Sequence, residues 1–553
     1  MALVPIEQVG QVGIITDVPP YSLPPSAWSG GSNVRFTDQG VENISGHIEV
    51  MKDCPIRVKH LVFYNQRDIT DYWLAFGETP VKRSTTGQVY CFDVDSRIWS
   101  DVTPEGGLKN SGSTVWSTTF LGAHLVATNG VDPMIYWPLL ADNTPNPEIS
   151  SGIKNRFIPV ELGLSPEAIA EEEDKFTEEG ISITPQTIDS FKSFLIGTNW
   201  SNGPTRIWWS TEGGHYSMPS WNYLDKDQDA GDYELNDSRG AVIDGAPLQD
   251  SFLIYKEDSI YIANYVGPPF IFGFKVLSKD VGLLTKNALQ EFPGGHVFMS
   301  KYDVHVTNGQ EVKSILTDKL QSQLFDNLNG DHYHRAFIAA DVLNSEILIC
   351  WPSDGSAWCN KCITWNWLTG VLSMRDLPHV SDIEPGVVPM PTEGDEWELN
   401  SHTWSAISRA WGSRAFESVI PELVFAAAGE DKIYRSGVDH TFDGDVMHTT
   451  VERTGMDLGD PGSVKRVNAV WPKITTMGGN TVKVYVGSQM SPDDGVTWET
   501  GVDFNPDKQS KVSCITTGKY FAFKVESDGD FKWRLHGMEF NVEQAGRRGS
   551  RIQ

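Results

Sequence analysis

The sequence predicts an all-β protein: an irregular six- or seven-bladed β-propeller with an N-terminal β segment and a C-terminal β-sandwich. Three observations carry this. A hairpin-like unit recurs seven times between Trp73 and Arg435, aromatic residues reach 11% while charged residues are only 21%, and 51 glycines with 31 prolines supply turns rather than long helices. At 553 residues the chain is long enough for several cores or one large closed β architecture with appendages.

Residues 1–50 precede the repeats and are expected to act as an assembly segment. The body follows over 51–444. Each repeat is a short apolar strand, a turn of variable length and a second strand rich in Ile, Tyr or Trp, the pattern of a buried β-hairpin. The first strands are WLAF from Trp73, HLVA from His124, FLIG from Phe194, FLIY from Phe252, VFMS from Val297, EILI from Glu346 and LVFA from Leu423. Their partners are VYCF, MIYW, RIWW, SIYI, DVHV, CITW and KIYR. Successive starts lie 45 to 77 residues apart, near the roughly 40–50 residues of a propeller blade when some blades carry insertions. One four-stranded blade cannot bury both faces alone, whereas blades packed around an axis bury them against each other. A string of separate β-sandwiches would show the same hairpins, so repetition alone leaves closure open.

Two insertions interrupt the body. Near 165–180, SPEAIAEEEDKFTEEG has Ser at an N-cap, Pro166 at the first helical position, acids in the first turns and a closing Gly, which predicts a short solvated helix. Near 379–422, EPGVVPMPTEGDEW leads into TWSAISRAWGSRAFESV, which predicts an irregular loop followed by a helix. From 445 to 553 the alternating runs TVKVYVGS, KYFAFKVES and WRLHGMEFNVE predict the sandwich, ending in the basic tail QAGRRGSRIQ.

Charge excludes some functions. A formal charge of −29 lacks the basic face with which proteins displace counterions from nucleic acid, so gripping DNA or an anionic membrane is not expected. No apolar run approaches the roughly 18 residues of a membrane helix, and the opening MALVPIEQVGQVGIITD has no basic region ahead of an apolar one, so no export signal is expected. Six cysteines are too sparse for a disulfide scaffold and suit a reducing cytosol.

The candidate chemistry is thin. Cys359 and Cys362 form a CxxC with Cys350 upstream, but structural zinc needs four ligands and no second pair follows, while a redox CxxC would open a helix and this one precedes a strand. These cysteines are expected to be small buried hydrophobes. DKDQDAGDYELN from Asp225 starts like a calcium loop, yet Ala230 stands where the turn needs Gly and Asn236 where it needs Glu, leaving an acidic turn. His332 and His334 are expected on one strand face at an interface, without a third metal ligand. SPDDGVTW, Ser491 to Trp498, fits the Asp-box turn of sialidase and other propellers, with Asp493 tying the loop and Trp498 capping the hairpin. No nucleophile elbow, phosphate-cradling Gly loop or zincin pattern is present, so the chain is expected not to be an enzyme and to need no cofactor or metal.

LPPSAWSGGSNVRFTDQGVENISGH (Leu23 to His47), IWWSTEGGHYSMPSW (Ile207 to Trp221), SIYIANYVGPPFIFGFKVLSKDVGLL (Ser259 to Leu284), TGKYFAFKVES and WRLHGMEFNVEQAGRR occur in order along most of the chain. This ordered set resembles the tail nozzle, or tail tubular protein B-like, virion proteins of short-tailed bacteriophages. The resemblance implies a homohexameric tube below the portal and adaptor proteins, in contact with tailspikes or fibres, through which genomic DNA passes at ejection without specific binding. It implies a virion-tail location after synthesis in the host bacterial cytoplasm. Contacts between copies are expected from Leu23, Trp28, Arg35 and Phe36 and from the tail arginines Arg547, Arg548 and Arg551, a basic end on an acidic protein. The competing expectations are a propeller-type tail glycosidase, which needs paired carboxylates in a pocket, and a carbohydrate-binding receptor module, which needs exposed aromatic platforms.

Overall fold

The structure is a computed structural model that describes residues 2–546 except 66–70, 80–85, 95, 110–113, 139–155, 165–182, 215–217, 226 and 389–420. The predicted helix near 165–180, the helical part of the second insertion and the tail arginines therefore lie outside the described residues. Strands dominate; the α-helix among the described residues is the five-residue Gln321–Phe325.

All seven predicted hairpins form, and each is the middle of a larger antiparallel sheet. Representative registers set Trp73 opposite Phe92, Ala127 opposite Ile135, Gly197 opposite Trp208 and Ile254 opposite Tyr261. The remaining three set Val297 opposite Val306, Ile349 opposite Ile363 and Phe425 opposite Tyr434. A further strand flanks every hairpin on each side, giving each sheet a run of four strands, which further strands extend to six in the sixth and seventh sheets. The first strands are Arg57–Tyr64, Ser117–Leu121, Pro185–Phe191, Val242–Leu248, Leu289–Phe292, Phe337–Asp341 and Asp382–Gly386. The last of these lies where the sequence suggests an irregular loop. Backbone pairing with Glu422–Ala427 holds it extended despite Pro385 and Gly386.

Neighbouring sheets meet through their first strands. The second packs on the third, and so on to the seventh, whose first strand packs back on that of the first sheet. First and second sheets are joined where His60 Nε2 lies 2.9 Å from Thr118 Oγ1. Between sheets the contacts are apolar and aromatic: Phe76, Trp116, Trp137 and Phe157 fill the first junction, and Phe191, Trp209, Phe252 and Phe272 the third. A Trp that removes about 200 Å² from water contributes on the order of 5 kcal/mol of transfer free energy before entropy is counted, so these rings dominate cohesion. The arrangement is propeller-like.

The N-terminal segment is not separate from the rest. His47–Glu49 is the fourth strand of the seventh sheet, pairing with Lys432–Ser436. Gly13–Ile14 and Ala27–Trp28 extend the sixth sheet in parallel. Two C-terminal sheets complete the molecule, and both take N-terminal strands. In one, Thr449–Met456 pairs with Gly30–Ser32 and with Tyr520–Ser527. In the other, the long strand Trp533–Gly546 lies against Val464–Thr476, Ala2–Ile6 and Gly40–Asn43. The sheets face each other through Phe523 and Phe540, 6.2 Å apart, and share one core with the fourth to sixth sheets. The predicted boundary at 444/445 falls inside a small hairpin, Thr441–Phe442 with Asp445–Val446, so the two parts are continuous there. Gly46 at this crossing admits no side chain, since a Cβ would collide with the Thr441 carbonyl.

Candidate functional site

Two groups of residues stand out: the seam made by the N-terminal segment, and the polar side chains of the first strands.

At the seam, the Trp28 indole is 1% exposed and donates to the Val9 carbonyl at 2.7 Å. Leu23 and Phe36 are buried, and the Leu23 carbonyl accepts from the Arg453 guanidinium at 3.0 Å. Asn33, in the left-handed region at φ 59°, donates to Asp376 at 3.0 Å and to the His448 carbonyl at 2.8 Å, and accepts from the Asp376 amide. Arg35 forks onto both Glu346 oxygens, Nε at 2.7 Å and Nη2 at 2.8 Å, with Asp341 at 4.0 Å. Burial alone would lower the Arg35 pKa, but Glu346, Asp341 and Glu42 outweigh it and hold the guanidinium above its ordinary value. All of these contacts are made within one chain. Leu23, Trp28 and Phe36 are consumed inside their own chain because the segment they belong to fills the gap between body and C-terminal sheets, and Arg35 is tied to the sixth sheet. Arg547, Arg548 and Arg551 lie outside the described residues.

The first strands carry the second group, which sequence reasoning missed. Asp189 accepts from Thr119 Oγ1 at 3.0 Å and from the Ser190 amide at 2.6 Å; burial nevertheless pushes it up to about 7. Asp244 is raised by burial although the Gly245 and Asn287 amides donate to it at 2.9 and 3.2 Å. Glu384 is pushed up to about 8 by burial and by Asp382 beside it. Asp382 accepts from the Leu61 amide at 2.9 Å and lies 2.6 Å from His60 Nδ1. Two contacts reach between sheets that are not neighbours or not in register: Asn287 Nδ2 donates to the Trp116 carbonyl at 3.1 Å, and Lys286 Nζ to the Gln186 carbonyl at 3.3 Å. Carboxylic acids that keep their proton near neutral pH are uncharged donors, which lets several first strands bring acids into one interior. The signal in the sequence is an acid inside an otherwise strand-like run, as in TIDSF and VIDGAPL.

The Cys- and Trp-rich stretch forms the central hairpin of the sixth sheet. Cys350 and Cys362 face each other across the hairpin and, with Cys359, pack against Phe337, Leu348 and Phe425. Burial raises the Cys350 and Cys359 thiols well above their ordinary range. Among the described residues no group of three or more His, Cys, Asp or Glu gathers to hold a metal. His332 and His334 flank and occupy a 3₁₀ turn, Tyr333–Arg335, rather than a strand face, because the chain there links two sheets. In the Asp-box turn the tie is made by Asp494, which accepts from the Ser491 amide at 2.8 Å, and not by Asp493. Trp498 lies over Gly487 with the Lys524 ammonium 5.3 Å from its ring. In the acidic turn, Asp225 accepts from the Asp227 amide at 3.1 Å. Among the described residues no helix is long and apolar enough to cross a membrane.

No protein-family model matches the chain, and no curated protein matches it. Among solved structures it is similar to PorZ, an essential bacterial surface component of the type-IX secretion system of Porphyromonas gingivalis, at 11% identity and a TM-score of 0.31, over 84% of this chain and 46% of that one. The chain thus spans less than half the length of PorZ. It is similar to a glycoside hydrolase at 9% identity and TM-score 0.24, over 88% of this chain and 98% of that one. A putative 6-phosphogluconolactonase from Bacteroides uniformis gives 13% identity and TM-score 0.31, over 56% and 82%. Likenesses this distant carry no argument about function; the fold rests on the sheets themselves.

Proposed function

We propose that the chain is a structural subunit of the tail nozzle of a short-tailed bacteriophage, six copies of which form a conduit for DNA ejection below the portal and adaptor proteins and beside tailspikes or fibres. In this reading the seven sheets are a closed seven-bladed propeller, and the two C-terminal sheets a β-sandwich. The return of the seventh sheet onto the first supports the blade count.

One observation carries the functional reading: the stretch with the nozzle-like sequence, Leu23 to His47, is the seam that fixes body to sandwich. Trp28, Asn33 and Arg35 each bind a different part of the chain. A subunit of a pressure-bearing wall needs its two β units to move as one, and this seam supplies that rigidity. The charge of −29 suits a wall past which phosphates slide without forming the ion pairs that would trap them. With that charge, interfaces between copies need apolar, aromatic centres, with acids turned to solvent and lumen. The basic tail, Arg547 to Arg551, is assigned to the acidic surface of a neighbouring copy.

The test is negative-stain imaging of the purified full chain, together with duplex binding at low salt. Six-fold rings and no measurable duplex affinity are expected. Particles without six-fold symmetry at every concentration tried, or micromolar duplex binding that falls steeply with salt, would overturn the reading. Deleting the last nine residues is expected to impair ring formation.

A further inference from the structure

Exposed apolar side chains collect at one end of the body. In an antiparallel run of four strands, the turn between the first and second and the turn between the third and fourth leave at the same end. That end carries Phe120 on the second sheet, Tyr265, Val266 and Phe270 on the fourth, and Leu343 and Leu368 on the sixth, all exposed. The fourth sheet makes the sharpest projection. Its strands Ile260–Gly267 and Ile271–Ser278 are joined by Pro268, Pro269 and Phe270. Phe270 is 76% exposed, Val266 58% and Tyr265 42%, and both prolines are exposed. From Ser259 to Phe274 there is no charged residue.

The projections are held out in solvent by what lies beneath them. The Tyr265 ring packs 6.1 Å from the rings of Phe194 and Phe272, with Lys192 Nζ 5.6 Å from its centre. On the sixth sheet the Trp367 amide donates to the Ser345 carbonyl at 3.1 Å, which sets the turn holding Leu368 beside the one holding Leu343.

Shape and charge decide what covers these tips. They are convex and borne on separate sheets, so a folded partner would need a hollow for each, whereas a fluid surface yields to all of them. The cavity of about 370 Å³ beside the fourth-sheet tip is bordered by Ser190, Lys192, Ser193 and the backbone of Gly213 and Gly214, which makes it too polar a socket for Phe270 of a second copy. The chain carries −29, yet in the first-to-second turns of the second to sixth sheets the charged residues are Lys192 and Asp250, which pair at 3.3 Å. An aromatic and aliphatic apex with Tyr and Lys at its collar matches a bilayer interface, where those two residue types sit at headgroup level.

We propose that this end of the body docks on a lipid bilayer of neutral headgroups, with Phe270, Val266 and Tyr265 entering the interface and the turns of the second and sixth sheets resting on it. The driving force is burial of apolar area, not attraction to anionic lipid, which the chain's own acids oppose. The tips belong to a single chain, so the inference does not rest on a six-fold ring, although a ring would present six of each and strengthen attachment by multivalency.

The experiment is flotation of the purified full chain with phosphatidylcholine vesicles in a density gradient, at low and at high salt. A floating fraction that saturates with lipid and is insensitive to salt is expected. Burying one Phe side chain favours transfer by a factor of about ten or more, so Phe270→Ser is expected to raise the lipid concentration for half-binding by about that factor. Val266→Ser is expected to raise it less, and Tyr302→Ser, which removes an exposed aromatic at the opposite end, to leave it unchanged. All three side chains are exposed, and unchanged thermal midpoints check that the variants fold. The proposal is overturned if the wild type does not float with phosphatidylcholine, if flotation needs phosphatidylglycerol and vanishes with salt, or if Phe270→Ser binds no more weakly than Tyr302→Ser.

Discussion

Arg35 and Glu346, 311 positions apart, form a two-pronged ion pair that ties the N-terminal segment to the sixth sheet. The Glu346 side chain is only 8% exposed. Removing the guanidinium leaves a buried carboxylate without its partner, a loss of about 3–5 kcal/mol in comparable pairs. Arg35→Met is therefore expected to lower the urea midpoint strongly with little change in slope, and Arg35→Lys to recover only part of the loss because an ammonium cannot fork. Equilibrium unfolding followed by tryptophan fluorescence checks this.

Stability is expected to fall between about pH 4 and pH 8 through Asp189 and Glu384. Their folded-state pKa values, about 7 and about 8, lie above the ordinary carboxylate range. Folded protein thus holds protons that the unfolded chain releases near pH 4, so their stabilising effect is complete below that point and is lost as pH rises through the folded values. Asp189→Asn and Glu384→Gln are expected to flatten the decline and to be more stable than the wild type near pH 8. The difference between variant and wild-type midpoints across pH isolates these two groups from the surface acids, and parallel curves would refute their role.

Four thiols are expected to resist modification in the native protein. Cys91, Cys350, Cys359 and Cys362 are buried, whereas Cys54 and Cys514 are half-buried. Burial also pushes Cys54 up to about 12 and Cys514 up to about 11, so even these react slowly as thiols near pH 8. A disulfide-exchange reagent should count at most two thiols before denaturation and six after it.

A fragment of residues 445–553 is expected not to fold alone. Its two sheets lack Ala2–Ile6, Gly30–Ser32 and Gly40–Asn43, and Asn43 both accepts from the Trp533 amide at 2.9 Å and donates to the Phe531 carbonyl at 3.0 Å. Fusing residues 1–50 to the fragment should restore a cooperative transition, read by circular dichroism. Equal transitions with and without the segment would show that its strands are dispensable.

The seven hairpins are legible in the sequence because their first strands are buried on both faces, and unbroken runs such as FLIY and LVFA admit no polar position. The flanking strands are not. Gly231–Glu234 reads GDYE and Val312–Ser314 reads VKS, polar segments that are strands only because a neighbour offers its backbone. Asp382–Gly386 is hidden in the same way behind Pro385. The seam fails differently: Trp28 and Phe36 announce burial, but not whether the covering surface belongs to the same chain, and partners some 300 to 500 positions distant leave no local mark. The acids of the first strands look like solvated positions of an alternating strand until the sheets are brought face to face.

The pairing of His47–Glu49 with Lys432–Ser436 has a consequence during synthesis. A ribosome that has just released the first of these strands must add nearly 390 more residues before the second emerges. At about 5–20 residues per second that is roughly 20 to 80 s, during which the nascent chain holds an apolar N-terminal ribbon with nowhere to dock. Early sheets can form hairpin by hairpin as they leave the exit tunnel, but the last sheet must wait for residue 436 to emerge and the two C-terminal ones for the strands Tyr520–Ser527 and Trp533–Gly546. Folding therefore has a late step in which residues 2–49 find strands some 400 to 500 positions away, and a product truncated before those strands leaves every sheet edge of that junction open to a second truncated chain.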